Sequence, residues 1–425
     1  MAVTAIVGAN WGDEGKGKMT DHYAANSSYV VRFQGGSNAG HTIINDYGKF
    51  ALHMLPSGVF HSNVTNIIGP GVAVDAAQLL RELEALQDRG VPEPRVRLSE
   101  RAQVVLPVHR LFDELEEERL GSNGYGSTKR GIAPFYADKY AKLGIQVSDL
   151  FDAARLQIKM EKLLMAKNVL LVHLYNKPPV RIDDLLGQLL ELGEKLRPMV
   201  CDTTGLLRSA MEKGEPVLLE GQLGALRDPD HGIYPYSTSS STLAGFAPVG
   251  AGLPAHAITR VIAVVKAYSS CVGAGPFVTE LGSSESEELR RRGGDAGEYG
   301  TLTGRPRRVG WFDAVATRYG CMLQGATDVV LTNLDVLGYL DEIPVCVGYE
   351  VDGVAIDRFP ITAELDRAKP IFRKFPGWKS DITGIRAFDN LPDAAQVYVK
   401  FIESAIEVEI SSVSVGPHRD QIINL

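Results

Sequence analysis

The chain has 425 residues, with 44 Lys and Arg against 52 Asp and Glu and a formal net charge of −8. Apolar residues at 44% and charged residues at 23% suit a globular chain with a large core. The acidic balance excludes a broad nucleic-acid surface, which needs clustered Lys and Arg.

Short β-branched runs punctuate the chain, beginning with Thr4 to Val7, which runs into Gly8. Tyr29 to Phe33 leads into Gln34-Gly35-Gly36; the later runs are Asn168 to His173, Val217 to Glu220, Val261 to Val265 and Val329 to Thr332. Such runs predict strands buried on both faces, the habit of parallel sheets. Amphipathic segments lie between them. Asp75 is placed to cap a helix carrying Leu79, Leu80, Leu83 and Leu86 on one face, with Gln78 in capping-box position and Gly90 and Pro92 as stops. A second stripe, Leu185, Leu189, Leu192 and Leu196, ends before Pro198. The run from Asp113 to Arg119 reads as a solvated helix face, and Ser284 to Gly300 as a mobile surface loop. The alternation predicts an α/β fold: a mostly parallel central sheet, helices on both faces, and insertions. The chain is expected to be one domain over 1–425 with large insertions, roughly 75–215 being a mainly helical subregion and 280–310 a loop region.

No apolar run approaches the roughly 20 residues of a membrane span. The N-terminus lacks the basic and apolar regions of a signal peptide. Cys201, Cys271, Cys321 and Cys346 form no CxxC pair that would suggest a zinc knot or disulfide framework. The expectation is a cytoplasmic protein with neither a membrane nor a nucleic acid as partner.

Glycine is in excess at 44 residues, which implies tight turns or close backbone approach to a ligand. After the first run, Gly12-x4-Gly17-Lys18 has P-loop spacing, in which backbone N–H groups surround phosphate oxygens and lysines add charge. Met19 replaces the usual Ser or Thr, so a metal ion accompanying the nucleotide needs another oxygen, and Asp13 is the obvious donor. After the second run, Gly35, Gly36 and Gly40 open the backbone to a ligand, beside the polar side chains of Asn38 and His41.

At these motifs the sequence resembles the adenylosuccinate synthetase family. The likeness runs through Trp11 to Lys18, Asn38 to Thr42, Asp230-His231-Gly232, Thr303 to Arg308 with Gly310-Trp311, Leu334 to Leu337, and Gly416 to Asp420. It implies a homodimeric ligase that joins IMP and L-aspartate using GTP and Mg²⁺, through a 6-phosphoryl intermediate in purine biosynthesis. By resemblance Asp13 is the base that takes the purine N1 proton and, with the Gly40 carbonyl, a Mg²⁺ ligand. His41 stabilises the 6-oxygen and the transferring phosphoryl group.

The resemblance assigns further sites. GTP would be held by Gly12, Asp13, Glu14, Gly15, Lys16, Gly17 and Lys18, then by Gly40, His41 and Thr42. Arg307, Asn333, Leu334 and Asp335 follow, with Asp335 selecting guanine; Ser414, Val415 and Gly416 cover the base. IMP would meet Asp13, Asn38, Ala39, Thr128, Gln222, Leu223, Thr238 and Arg305, with Lys142 reaching in from the neighbouring subunit. Aspartate would be held by Thr301, Leu302, Thr303, Gly304, Arg305 and Arg307.

The chain departs from the family pattern at Ser127, Lys129, Lys142, Leu223, Leu302 and Asn333. Leu223 stands where the family carries a purine-contacting glutamine, and Gln222 lies one residue earlier. Because neighbouring side chains of an extended strand face opposite ways, Gln222 is a doubtful substitute. A guanine nucleotide acceptor (GMP or dGMP), giving a 2-amino product, is therefore the rival substrate. A non-catalytic GTP-binding switch is the rival of another class, disfavoured by the arginine cluster and the His41 loop.

Overall fold

The strand Val3–Gly8 lies in the middle of a ten-stranded sheet, hydrogen-bonded to Val217–Gly224 on one side and Ile258–Lys266 on the other. The structure is a computed structural model that describes residues 3–293, 297–300 and 304–425. Beyond Val217–Gly224 follow Tyr29–Arg32, Thr65–Ile68, Arg95–Ser99 and Val200–Cys201. Beyond Ile258–Lys266 follow Asp328–Thr332, Ile410–Ser414 and Ile422–Asn424. Every pairing is parallel except the last, between Ile410–Ser414 and Ile422–Asn424.

The apolar runs are continuous because each strand buries both faces. Ile6, Leu218, Ile262 and Val264 pack with Met19 and Ala24 of the helix Lys16–Ala24. The alternate residues Ala5, Val7 and Leu219 face Leu207, Ala247 and Ala251. Successive side chains of a strand point to opposite sides, so helices cover the sheet above and below. Parallel strands all end at one edge, and the glycine loops emerge there.

Five of the six predicted strands form, but Asn168 to His173 is the last part of the helix Ala153–His173. A short apolar run does not distinguish a strand from a buried helical turn. Here Leu156, Met160, Leu163, Leu164 and Leu171 are buried at helical spacing. Ser284 to Gly300 is likewise not a loop throughout: Ser283–Arg292 is a helix, with Leu289 fully buried and Glu288 paired to Arg291 and Arg292. The leucine-rich helices form as expected, Ala76–Asp88 and Asp183–Leu196. Only half of the capping box forms. Asp75 accepts from Gln78 N at 3.1 Å, while the Gln78 amide bonds Glu82. Glu82 is buried because it accepts the backbone N–H groups of His53, Met54 and Leu55. No helix among the described residues is long and apolar enough to cross a membrane.

Candidate active site

The first loop is organised by Glu14, which is almost fully buried. Its carboxylate accepts from Asn10 N at 3.1 Å and Gly12 N at 2.8 Å, and it pairs with Lys16 at 2.8 Å. Gly12 adopts φ +109°, and a Cβ there would sit 2.5 Å from the Leu223 Cα, so this close crossing requires glycine. Gly15 starts the helix Lys16–Ala24 in the left-handed region, leaving the first helical amides exposed to an anion. The Lys16 amine also donates to the Gly12 carbonyl at 3.0 Å. Lys18 turns away from the loop, to Ser414 and to the carbonyls of Gly416 and Gln421.

The second loop is braced by Gln222, which is fully buried. Its carbonyl oxygen accepts from Gly36 N at 2.9 Å, and its amide donates to Gly36 O at 2.8 Å and Ala39 O at 3.3 Å. Gln222 thus supports the loop and does not line the cavity. Its neighbour Leu223 does line it, at φ +59°.

His41 packs on Gly17, where a Cβ would come within 2.7 Å of the His41 Cβ. The Nδ1 atom of His41 lies 2.5 Å from Glu220 Oε1. Glu220 also accepts from the backbone and hydroxyl of Ser57. Burial lowers the imidazole below its usual pKa. Burial alone would raise the Glu220 carboxyl, but His41, Arg32 and Ser57 together hold it below the normal range. The arrangement is a neutral imidazole donating Nδ1–H to an ionised carboxylate, with Nε2 buried and lacking a hydrogen-bond partner among the described residues.

Asp13 and His41 both line one cavity of about 1390 Å³. Asp13 accepts a hydrogen bond from Ser270 and lies 3.6 Å from both Lys266 and Arg307. Arg307 pairs with Glu298 at 2.7 Å, and Lys266 pairs with the same carboxylate at 2.8 Å. Burial opposes ionisation of Glu298, but the two cations and the Tyr268 hydroxyl bring its pKa down to about 2. Arg305 also lines the cavity, whereas Arg308 pairs with Glu280 outside it.

At the far end stand Asn333, Asp335, Ser414 and Gly416. Burial raises Asp335 to about 6 and lowers Lys18 to about 7. Gly12, Gly15, Lys16, Gly17, Lys18, Gly40 and Thr42 reach the same cavity. Asn38, Ala39, Thr128, Leu223 and Thr238 line it as well. Glu14, Gly304, Leu334 and Val415 do not line it: Glu14 holds the loop together, and Leu334 and Val415 are core residues. Lys142 is exposed and outside its own chain's cavity. Thr301, Leu302 and Thr303 lie outside the described residues.

The Thr128 loop is shaped by two carboxylates that the sequence reading passed over. Asp113 accepts from Ser127 Oγ at 2.6 Å and Gly131 N at 2.8 Å. Glu117 accepts from Tyr125 N at 3.0 Å and Gly126 N at 3.1 Å. The acidic run is therefore not simply a solvated face. The clue in the sequence was the four-residue separation of Asp113 and Glu117, which puts both on one side of the helix Pro107–Leu120. For Glu220, the clue was a charge closing an otherwise apolar strand.

The chain matches the family model described as adenylosuccinate synthetase over residues 5–423. It is 48% identical to the adenylosuccinate synthetase of Kineococcus radiotolerans over 424 residues, covering 100% of this chain and 98% of that protein. It is 48% identical to that of Bifidobacterium adolescentis over 421 residues, covering 99% of this chain and 98% of the relative. The structure of fully ligated adenylosuccinate synthetase from Plasmodium falciparum superposes with a TM-score of 0.92 at 35% identity, covering 100% of both chains. The cyanophage S-2L succinoaminodeoxyadenylate synthetase, bound to dGMP and dATP, gives a TM-score of 0.59 at 19% identity, covering 100% of this chain and 95% of that one; that likeness concerns the fold alone.

Proposed function

The chain belongs to the adenylosuccinate synthetase family, and on that premise we propose how the residues of this cavity divide the work of a GTP-dependent ligase joining L-aspartate to IMP. The observation that carries the reading is the shared cavity of Asp13 and His41, with the His41 Nε2 buried and unpartnered. Asp13 takes the N1 proton of the purine, and the electron density released to O6 attacks the γ-phosphorus of GTP, expelling GDP. His41 faces O6 and the moving phosphoryl group. The Glu220 carboxylate behind it favours the imidazolium as negative charge develops. The amine of aspartate then attacks C6, the C6–O bond breaks, phosphate leaves, and the amine nitrogen releases its proton.

Arg305 and Arg307 offer planar forks to the aspartate carboxylates and to phosphate oxygens. Release of Arg307 from Glu298 accompanies ligand capture. The glycine loop and Lys16 hold the triphosphate, and Asp335 accepts from the guanine N1–H and 2-amino groups. Asn38, Thr128 and Thr238 hold the acceptor nucleotide.

The donor set fits Mg²⁺, a hard cation that takes one or two protein oxygens and completes its shell with phosphate and water. Asp13 and the Gly40 carbonyl are the ligands we assign, two oxygens on the wall of the same cavity. When bound, the ion neutralises charge on the nucleotide phosphates.

The protein acts as one catalytic domain in a cytoplasmic homodimer. Two features support the dimer: Lys142 stands exposed away from its own cavity, and the helix Ala153–His173 leaves Ile158, Met165, Val169 and Val172 exposed.

The test supplies GTP, Mg²⁺ and aspartate with IMP, GMP, dGMP or XMP separately and detects the succinylated product by mass. Product from IMP is expected. Leu223, which places an alkyl group where a polar purine contact is expected, favours the guanine nucleotides as rivals, and product from them alone would overturn IMP as the acceptor. GTP hydrolysis indifferent to aspartate would overturn the ligase reading itself.

A further inference from the structure

Lys18 occupies the P-loop lysine position, directly after Gly17, where the amine is expected on phosphate. Its amine is committed elsewhere. Nζ donates to Ser414 Oγ at 2.7 Å, the Gly416 carbonyl at 2.6 Å and the Gln421 carbonyl at 3.2 Å. The side chain is only 8% exposed. Around it stand Asp335, Arg386 and Asp420, with His22 on its own helix.

The three acceptors belong to one tight loop at the end of the chain. Val415 N donates to the Gln421 carbonyl at 3.0 Å, and His418 N donates to the Gln421 side chain at 2.8 Å. This loop joins the last two strands at the sheet edge, where the closing strand Ile422–Asn424 has only three residues. Edge segments with so few ladder bonds open at low cost unless tethered. Ser414, Gly416 and Pro417 of this loop line the same cavity as Asn333 and Asp335.

We propose that Lys18 is a positioning residue for the base end of the nucleotide site: it ties the loop from Ser414 to Gln421, which covers the guanine, to the helix that presents amides to the triphosphate, and it does not itself ligate phosphate. The inference rests on the GTP reading given above. It explains why a lysine is buried among neutral acceptors instead of lying in the phosphate loop. It also fixes the separation between base and phosphate contacts before the nucleotide arrives, so less ordering is needed on binding.

The test measures binding of Mg·GTP and of inorganic tripolyphosphate, a ligand without a base, to the full-length protein and to Lys18→Met. The substitution removes the three hydrogen bonds that tie the loop to the helix, and the base-free ligand reads any effect on the phosphate site directly. GTP affinity is expected to fall about tenfold or more, and tripolyphosphate affinity to stay within about twofold. Equal weakening of both ligands would identify Lys18 as a phosphate ligand and overturn the inference, and so would an unchanged GTP affinity. Ser414→Ala removes one acceptor from the loop side and is expected to weaken GTP about threefold with no effect on tripolyphosphate. This second variant decides the matter if Lys18→Met does not fold; a loss of tripolyphosphate affinity, or none of GTP affinity, overturns the inference. Wild-type protein that binds GTP no better than tripolyphosphate would bring down the nucleotide assignment itself, a result distinct from an unresponsive Lys18→Met.

Discussion

Glu220 faces no ligand in the cavity, yet it controls which protonation state His41 can reach. Its carboxylate fixes the imidazole with Nδ1 as donor and leaves Nε2 for the reacting oxygen. In Glu220→Gln the amide cannot compensate an imidazolium, and Arg32 loses a charged neighbour. We expect kcat to fall about a hundredfold with the KM for GTP changed only a few-fold, and the melting temperature to drop by a few degrees. A kcat within twofold of wild type would remove Glu220 from the mechanism. Asp335 gives a pH signature. Its folded pKa of about 6 lies above the usual carboxylate value, so protonated carboxyl accumulates as pH falls through 6. A protonated carboxyl loses the acceptor that guanine needs. GTP affinity relative to tripolyphosphate should therefore be flat above pH 7 and fall by about tenfold per pH unit well below 6, with the trend absent in Asp335→Asn. For folding, a raised carboxyl favours the native state in acid, and that contribution is lost as pH rises through 6. That Asp13, His41 and Asp335 line one cavity was legible in the sequence, because loops with glycines or a charge after an apolar strand stand out. The bracing bonds of Gln222 and Lys18 were not legible, because a polar side chain near a ligand loop reads the same whether it points at the ligand or braces the loop.

The helix Pro107–Leu120 shows how an element acts on the site without touching its chemistry. Asp113 and Glu117, one turn apart, accept the hydrogen bonds that shape the segment from Tyr125 to Gly131 around Thr128. Removing both carboxylates in Asp113→Ala/Glu117→Ala should loosen that segment. The expected result is a rise of about tenfold in the KM for the acceptor nucleotide, with the KM for GTP unchanged. A parallel rise in both constants would instead indicate general unfolding around the cavity. Periodicity located the two leucine-rich helices well, since Leu79 and Leu86, or Leu185, Leu189 and Leu196, recur on buried faces. It failed at Asn168 to His173, where a short apolar run is the end of a long helix and reads the same as a buried strand. It failed again at Ser283–Arg292, which is held mainly by local Glu–Arg pairs and one buried leucine.

At the scale of the molecule, the alternation of strands and helices made the α/β architecture readable, but the strand order was hidden. Val3–Gly8 pairs with Val217–Gly224 and Ile258–Lys266, both more than two hundred residues away. Strands apolar on both faces carry almost no information about which neighbour they take. The exposed stripe that supports the proposed dimer was equally hidden, because Ile158, Met165, Val169 and Val172 lie within a run whose other face is core. In the proposed homodimer, where Lys142 is assigned to the neighbouring site, two defective chains can complement each other. Asp13→Asn disables the site in its own chain but still donates Lys142, whereas Lys142→Ala keeps Asp13 and starves its neighbour. Equal mixing with subunit exchange makes about half of the dimers mixed, each with one intact site, so activity should recover to about a quarter of wild type. Met165→Glu/Val169→Glu, which charges the apolar stripe, should yield a monomer by light scattering and abolish that recovery. Mixed chains that stay as inactive as either parent, while sedimenting as mixed dimers, would show that each site is complete within its own chain.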